Sequence, residues 1–137
     1  MQTVLERAKA LRADPNVHYN CAQAVLIPFA ERAGLSAEQA NAIAAHFGSG
    51  MRSGLTCGAV TGGLMALGIS GAGEADDAHA FLRRMKAGHD GVIDCAHLLA
   101  ANAKTGTPKK IHCDGMVFEA VEAVAEILKA RGLLEEK

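Results

Sequence analysis

Apolar residues recur at three- and four-residue spacing along nearly the whole chain, and no stretch shows the period-two alternation of a half-buried strand. A first helix is predicted from about Thr3 to Ala13, with Val4, Ala8 and Leu11 on one face. Asp14-Pro15-Asn16 breaks it, because a proline disfavours helix in the residue before it. A second begins at the N-cap Asn20 and ends at Gly34, and Pro28 inside it should kink it or mark a boundary. Ser36-Ala37-Glu38-Gln39 has the capping-box pattern that opens a third, running to about Phe47. After the Gly-rich loop Gly48–Gly54, Thr56 is the expected cap of a fourth helix. Its Gly58, Gly62 and Ala66 share a face that another backbone can approach, while Val60, Leu64 and Leu67 form the bulkier side. A fifth, Ala75 to Ala87, is expected to bury Ala78, Leu82 and Met85 and to expose Arg83, Arg84 and Lys86. A shorter helix spans Cys95 to Ala103. Beyond the loop Lys104–Lys110, a long last helix runs to Arg131 with Val117, Val121, Val124 and Leu128 as its buried stripe. The expectation is one all-α compact domain over residues 1–137, built from about six or seven helices.

Composition narrows the function classes. The 137 residues are 50% hydrophobic and 21% charged, which is globular rather than disordered composition. Fourteen basic against fifteen acidic residues give a net charge of -1, so neither a nucleic-acid footprint nor a polybasic membrane surface is expected. Aromatics are 4% with no Trp, too few for base-stacking platforms. From Ser53 to Gly73 there are 21 uncharged residues, about a bilayer span, but seven are Gly, so a closely packed core helix is expected there and no membrane insertion. The charged opening residues lack an apolar signal core, and a cytoplasmic location is the expectation.

The candidate chemistry lies in four cysteines, Cys21, Cys57, Cys95 and Cys113, separated by 35, 37 and 17 residues. No pair has the CxxC spacing of a zinc ribbon or a thioredoxin-like site. Position is more telling: Cys21 follows Asn20, Cys57 follows Thr56, Cys95 follows Asp94, and Cys113 is expected to open the last helix. Free N–H groups and the positive dipole end of a helix start favour a thiolate, the form that attacks disulfides and binds metals. Four such ligands suit an iron–sulfur cluster or, second to it, Zn²⁺. Arg52 is expected near Cys57, where it would lower a thiol pKa. His112 and His18, close in sequence to Cys113 and Cys21, are candidate bases or ligands, and His46 is expected to offset a helix dipole. The loop Gly48–Gly54 lacks both GxGxxG and a GK[ST] ending, so a tight connection is expected rather than a phosphate site.

Asn20-Cys21-Ala22-Gln23-Ala24-Val25, Gly48-Ser49-Gly50-Met51 and Thr56-Cys57-Gly58-Ala59-Val60-Thr61-Gly62-Gly63-Leu64-Met65 resemble the redox-active C_GCAxxG_C_C family. Cys95-Ala96-His97-Leu98-Leu99, and Cys113 with the amphipathic helix after it, resemble that family's third and fourth cysteine blocks. The resemblance spans about Asn20 to Leu128, and Lys86 to Asp94 is the stretch it does not place. It implies a helical domain with four redox-active cysteines. It also implies kinship with the cysteine segment of split-Soret cytochromes, where an iron–sulfur site has been suggested. Two functions follow as expectations. In one, the four cysteines converge for redox work, either around an iron–sulfur cluster, the slightly favoured version, or as a dithiol–disulfide couple without cofactor, Cys57 being the first choice of attacker. That function needs a redox partner protein. In the other, the cysteines hold structural Zn²⁺ or only pack, and the domain binds a partner protein. Small-residue helix faces also permit a homodimer.

Overall fold

A computed structural model of the chain describes residues 2–136. Seven α-helices, α1 Val4–Ala13, α2 Cys21–Arg32, α3 Ala37–Ile43, α4 Gly58–Ile69, α5 Ala75–Ala87, α6 Cys95–Ala103 and α7 Lys109–Ala130, follow one another without a strand among the described residues. A π-type turn at Gly50–Gly54 brings the helical elements to eight, where six or seven were expected. The extra one lies in the Gly-rich segment read from the sequence as a loop. Its Met51 and Arg52 have left-handed backbone angles, which no apolar periodicity signals. No helix among the described residues is long and apolar enough to cross a membrane.

α2 is the hub. Every residue from Ala22 to Ala30 is buried, as befits a helix that is apolar on all sides. α1, α3, α4 and α7 surround it. The helix continues through Pro28, because packing on every face outweighs the roughly 3 kcal/mol an interior proline costs. α4 makes the closest approach. A Cβ on Gly58 would stand 2.8 Å from Phe47 O, and one on Gly62 would stand 2.8 Å from Ala22 O. The small-residue face therefore lies against the backbone of α2. α7 forms the second spine, buries Val117, Val121, Val124 and Leu128, and receives α1, α4, α5 and α6. On α5 the fully buried row is Asp77, Phe81 and Met85, with Phe81 filling the space left by Gly63; Ala78 and Leu82 are only half-buried.

Local signals set most boundaries. Thr3, Asn20 and Ser36 each close a capping box with the residue three positions on. Gly34, at φ +96°, ends α2 with Leu35 N–H donating to Ala30 O. α3 stops at Ile43 rather than near Phe47 for a tertiary reason. Asn20 caps α2 with Oδ1, and its Nδ2 donates to Ala44 O and Ala45 O, diverting carbonyls that another helical turn would use. Thr56 does not cap α4 either. It sits in an isolated antiparallel bridge with Asp94, and Cys57 itself is the N-cap residue.

Candidate functional site

That bridge assembles half of the site. Cys57 N–H donates to Ile93 O at 2.7 Å and Cys95 N–H donates to Leu55 O at 2.6 Å, so the segments entering α4 and α6 are stitched together one residue from each cysteine. The stretch before Cys95 that matched no motif is thus the partner of the stretch before Cys57. His89 anchors it to α7 through a 2.7 Å contact between Nε2 and the Glu119 carboxylate. The left-handed turn Ser49–Arg52 closes over this pair. Gly50, at φ +63°, leaves no room for a side chain, since a Cβ there would fall on the Leu55 backbone and 2.9 Å from Cys95 Cβ. Three non-glycine residues in the same region, Ser49, Met51 and Arg52, make it a strained element.

Cys21 occupies the first position of α2 and Cys95 the first of α6. Cys113 lies one turn inside α7, which begins at Lys109, so three of the four cysteines, not all, sit at helix starts. All four line one cavity of about 40 Å³, together with Leu98, Leu99, Met116 and His112. A larger cavity, about 750 Å³, lies between Gln2, Arg32, Lys129 and Glu136 and contains no cysteine.

The thiols differ sharply. Cys21 donates its S–H to Cys113 Sγ, which holds Cys21 as a thiol and, with burial, pushes its pKa well up. The same bond lowers Cys113 to about 6; burial opposes this, while the guanidinium of Arg12 and the ammonium of Lys109 assist. Burial pushes Cys57 up to about 11, although the amides of Ala59 and Val60 in the first turn pull the other way. Burial and the charge at Cys113 raise Cys95. Helix-start placement therefore does not by itself yield thiolates here: the interaction with Cys113, together with burial, prevails at Cys21, and desolvation prevails at Cys57 and Cys95. Cys57, expected as the first attacker, is 6% exposed, and its thiol pKa is raised.

Arg12 is a charge beside the site that the sequence pattern did not single out, one of the groups that favour ionisation of Cys113. It comes from α1, its side chain is 6% exposed, and it is pinned by Asp114 Oδ1 at 2.6 Å and Tyr19 O at 2.8 Å. The only advance signal was an arginine in the last turn of a short helix. Arg52, expected near Cys57, instead donates to His46 Nδ1 at 3.1 Å and to Ala45 O. His46 thus serves as that arginine's acceptor. His18 lies exposed on the α1–α2 loop and lines no part of the cysteine cavity. His112 does line it, and burial and neighbouring His89 push its pKa down.

The donor set is one that would suit a zinc ion or an iron–sulfur cluster, and all four cysteines line the same cavity, although no three ligating side chains among the described residues are drawn together as a bound ion would draw them. What the site offers is a coupled pair of side chains, Cys21 and Cys113, whose mutual interaction favours the thiol at Cys21 and ionisation at Cys113. The family described as "putative redox-active protein (C_GCAxxG_C_C)" matches residues 19–127, most of the chain. No curated protein and no solved structure matches it.

Proposed function

The chain belongs to the C_GCAxxG_C_C redox-active family, and from that premise we propose that Cys113 and Cys21 are its working thiol–disulfide couple. The observation that carries this is the convergence of all four cysteines on one cavity, within which Cys21 and Cys113 form the interacting pair. Cys113 attacks one sulfur of a substrate disulfide, forms a mixed disulfide with it and expels the other sulfur as a thiolate. Cys21 then attacks Cys113 Sγ, forms the Cys21–Cys113 disulfide and gives its proton to the departing substrate thiol. Two electrons pass from the chain's dithiol to the substrate, and a second dithiol donor resets the pair. Arg12 and Lys109 support the thiolate at Cys113, while Cys57 and Cys95 remain thiols in this cycle.

A different observation, four soft donors around one cavity, favours a bound metal, and one experiment separates the two. Anaerobically purified protein is assayed for iron, zinc and acid-labile sulfide. It is then oxidised with limiting diamide, alkylated and mapped by mass spectrometry. The couple predicts metal-free protein with a dithiothreitol-reversible Cys21–Cys113 disulfide that Cys113→Ser abolishes. Stoichiometric iron and sulfide with visible absorption, lost in Cys57→Ser, would replace this proposal with the cluster, and stoichiometric zinc alone would replace it with a structural site.

A further inference from the structure

The exposed wall residues of the cysteine cavity mark its mouth. Ser49 and Lys109 are exposed, Cys95 and Cys113 are half-buried, and Cys57 and Leu98 are buried. A substrate disulfide therefore meets Lys109 before it meets a thiol. Lys109 is the first residue of α7 and Cys113 follows it by four positions, so the two side chains share one face of that helix. Its ammonium also lies close enough to favour ionisation at both Cys95 and Cys113.

The charges around this mouth do not cancel. Arg12 and Lys110 both bond to Asp114, so two cations share one carboxylate. Lys109 enters none of the ion pairs among the described residues. Burial and neighbouring His89 lower the pKa of His112, so at neutral pH it adds no charge. No carboxylate lines the cavity, and Asp94, which precedes Cys95, is engaged by His97 Nδ1 at 3.3 Å. Arg12, Lys109 and Lys110 thus face Asp114 alone, and these groups keep one positive charge in excess even when Cys113 is a thiolate. Of the three cations, only Lys109 is both unpaired and part of the cavity wall.

Resting on the thiol–disulfide assignment, we propose that Lys109 is the specificity-determining residue of the site and that its substrate is an anionic disulfide, with a carboxylate a few bonds from the sulfurs. The Lys109 ammonium holds that carboxylate at the mouth while the adjoining S–S bond reaches Cys113 Sγ. Cys113 attacks the nearer sulfur and the farther one leaves as a thiolate. Closure of the Cys21–Cys113 disulfide releases the second half as a thiol, so one disulfide yields two thiols and the chain loses two electrons. A single cation at contact distance in water concentrates a monovalent anion about fivefold and depletes a cation by a similar factor.

The test mixes reduced protein at neutral pH and low salt with three disulfides of matched size: dithiodipropionate, 2-hydroxyethyl disulfide and cystamine, which are anionic, neutral and cationic. Thiol release gives a rate constant for each. Intrinsic differences among the probes, and any change in the ionised fraction of Cys113, cancel when the ratio of anionic to cationic rates is compared between native protein and variant. That ratio should fall about tenfold in Lys109→Gln and be kept in Lys109→Arg. It should also be kept in Lys86→Gln, which alters an exposed lysine of α5 outside the cavity wall. In native protein it should drop toward the Lys109→Gln value as salt is raised to about 0.5 M. An unchanged ratio in Lys109→Gln, an equal fall in Lys109→Arg or Lys86→Gln, or a native ratio indifferent to salt would overturn the assignment of Lys109. Thiol release from all three probes that survives Cys113→Ser, or none from native protein, would instead overturn the thiol–disulfide assignment, so the two failures are distinguishable.

Discussion

Replacing Cys21 with Ala removes the S–H that donates to Cys113 and leaves Arg12 and Lys109 as the remaining support for the thiolate. The Cys113 midpoint should then rise from about 6 toward the ordinary thiol value of about 8.5. At pH 7 a thiol with a midpoint of about 6 is about nine-tenths ionised, and one at about 8.5 only about 3%. That roughly thirtyfold loss of thiolate is offset about ten- to twentyfold, because a more basic thiolate is a better nucleophile, with a Brønsted slope of about 0.4–0.5 in thiol exchange. The net change at pH 7 is only about two- to threefold, so the informative measurement is the whole pH profile. Peptide-resolved alkylation of Cys113 by iodoacetamide between pH 4.5 and 10, in native protein and in Cys21→Ala, provides it. The native curve should rise through about pH 6 and flatten; the variant curve should rise later and reach a higher plateau. A variant midpoint still at about 6 would refute the hydrogen bond as the cause. The sign of the linkage adds a check. Because the folded pKa of Cys113 lies below its unfolded value, its contribution to stability is present above the ordinary thiol pKa and is lost as pH falls toward about 6. Cys21 and Cys57, shifted upward, contribute only below the ordinary value and lose that contribution at alkaline pH.

Arg12→Met should also raise the Cys113 midpoint and should cost about 1–3 kcal/mol in urea unfolding, since Asp114 and Tyr19 O lose a charged donor; an unmoved midpoint would remove Arg12 from the electrostatics of the site. Gly63→Ala drives a methyl into the Phe81 ring, 2.8 Å from Cε2, and should cost about 1–3 kcal/mol by overpacking, read as a drop in thermal midpoint. Met51→Gly relieves a left-handed residue at φ +59° whose side chain is exposed, and should gain about 1 kcal/mol. Gly50→Ala, blocked by the Leu55 backbone, should lose more than that and disturb Cys95. Stability changes of the same sign in these last two variants would contradict the strained-turn account.

What the sequence determined by itself is whatever depends on neighbours a few residues away. The helix start near Thr3, the N-cap Asn20, the capping pair Ser36–Gln39, the break at Pro15, the exit at Gly34 and the apolar stripe of α7 are all local and were all legible. The small face of α4 was legible too, since only a close backbone neighbour explains glycines at that spacing. The end of α3 was not, because the donor that unwinds it, Asn20, sits more than twenty residues earlier. Nor was the capping role of Thr56, which was lost to a bridge with Asp94. At the site, sequence identified the four cysteines but not which would ionise. That depends on burial, on the Cys21–Cys113 hydrogen bond and on Arg12, whose bond to Asp114 joins residues 102 positions apart. A helix start biases a thiol through a dipole that acts over one turn, whereas desolvation depends on every element packed around it, and only the folded chain decides which of the two prevails.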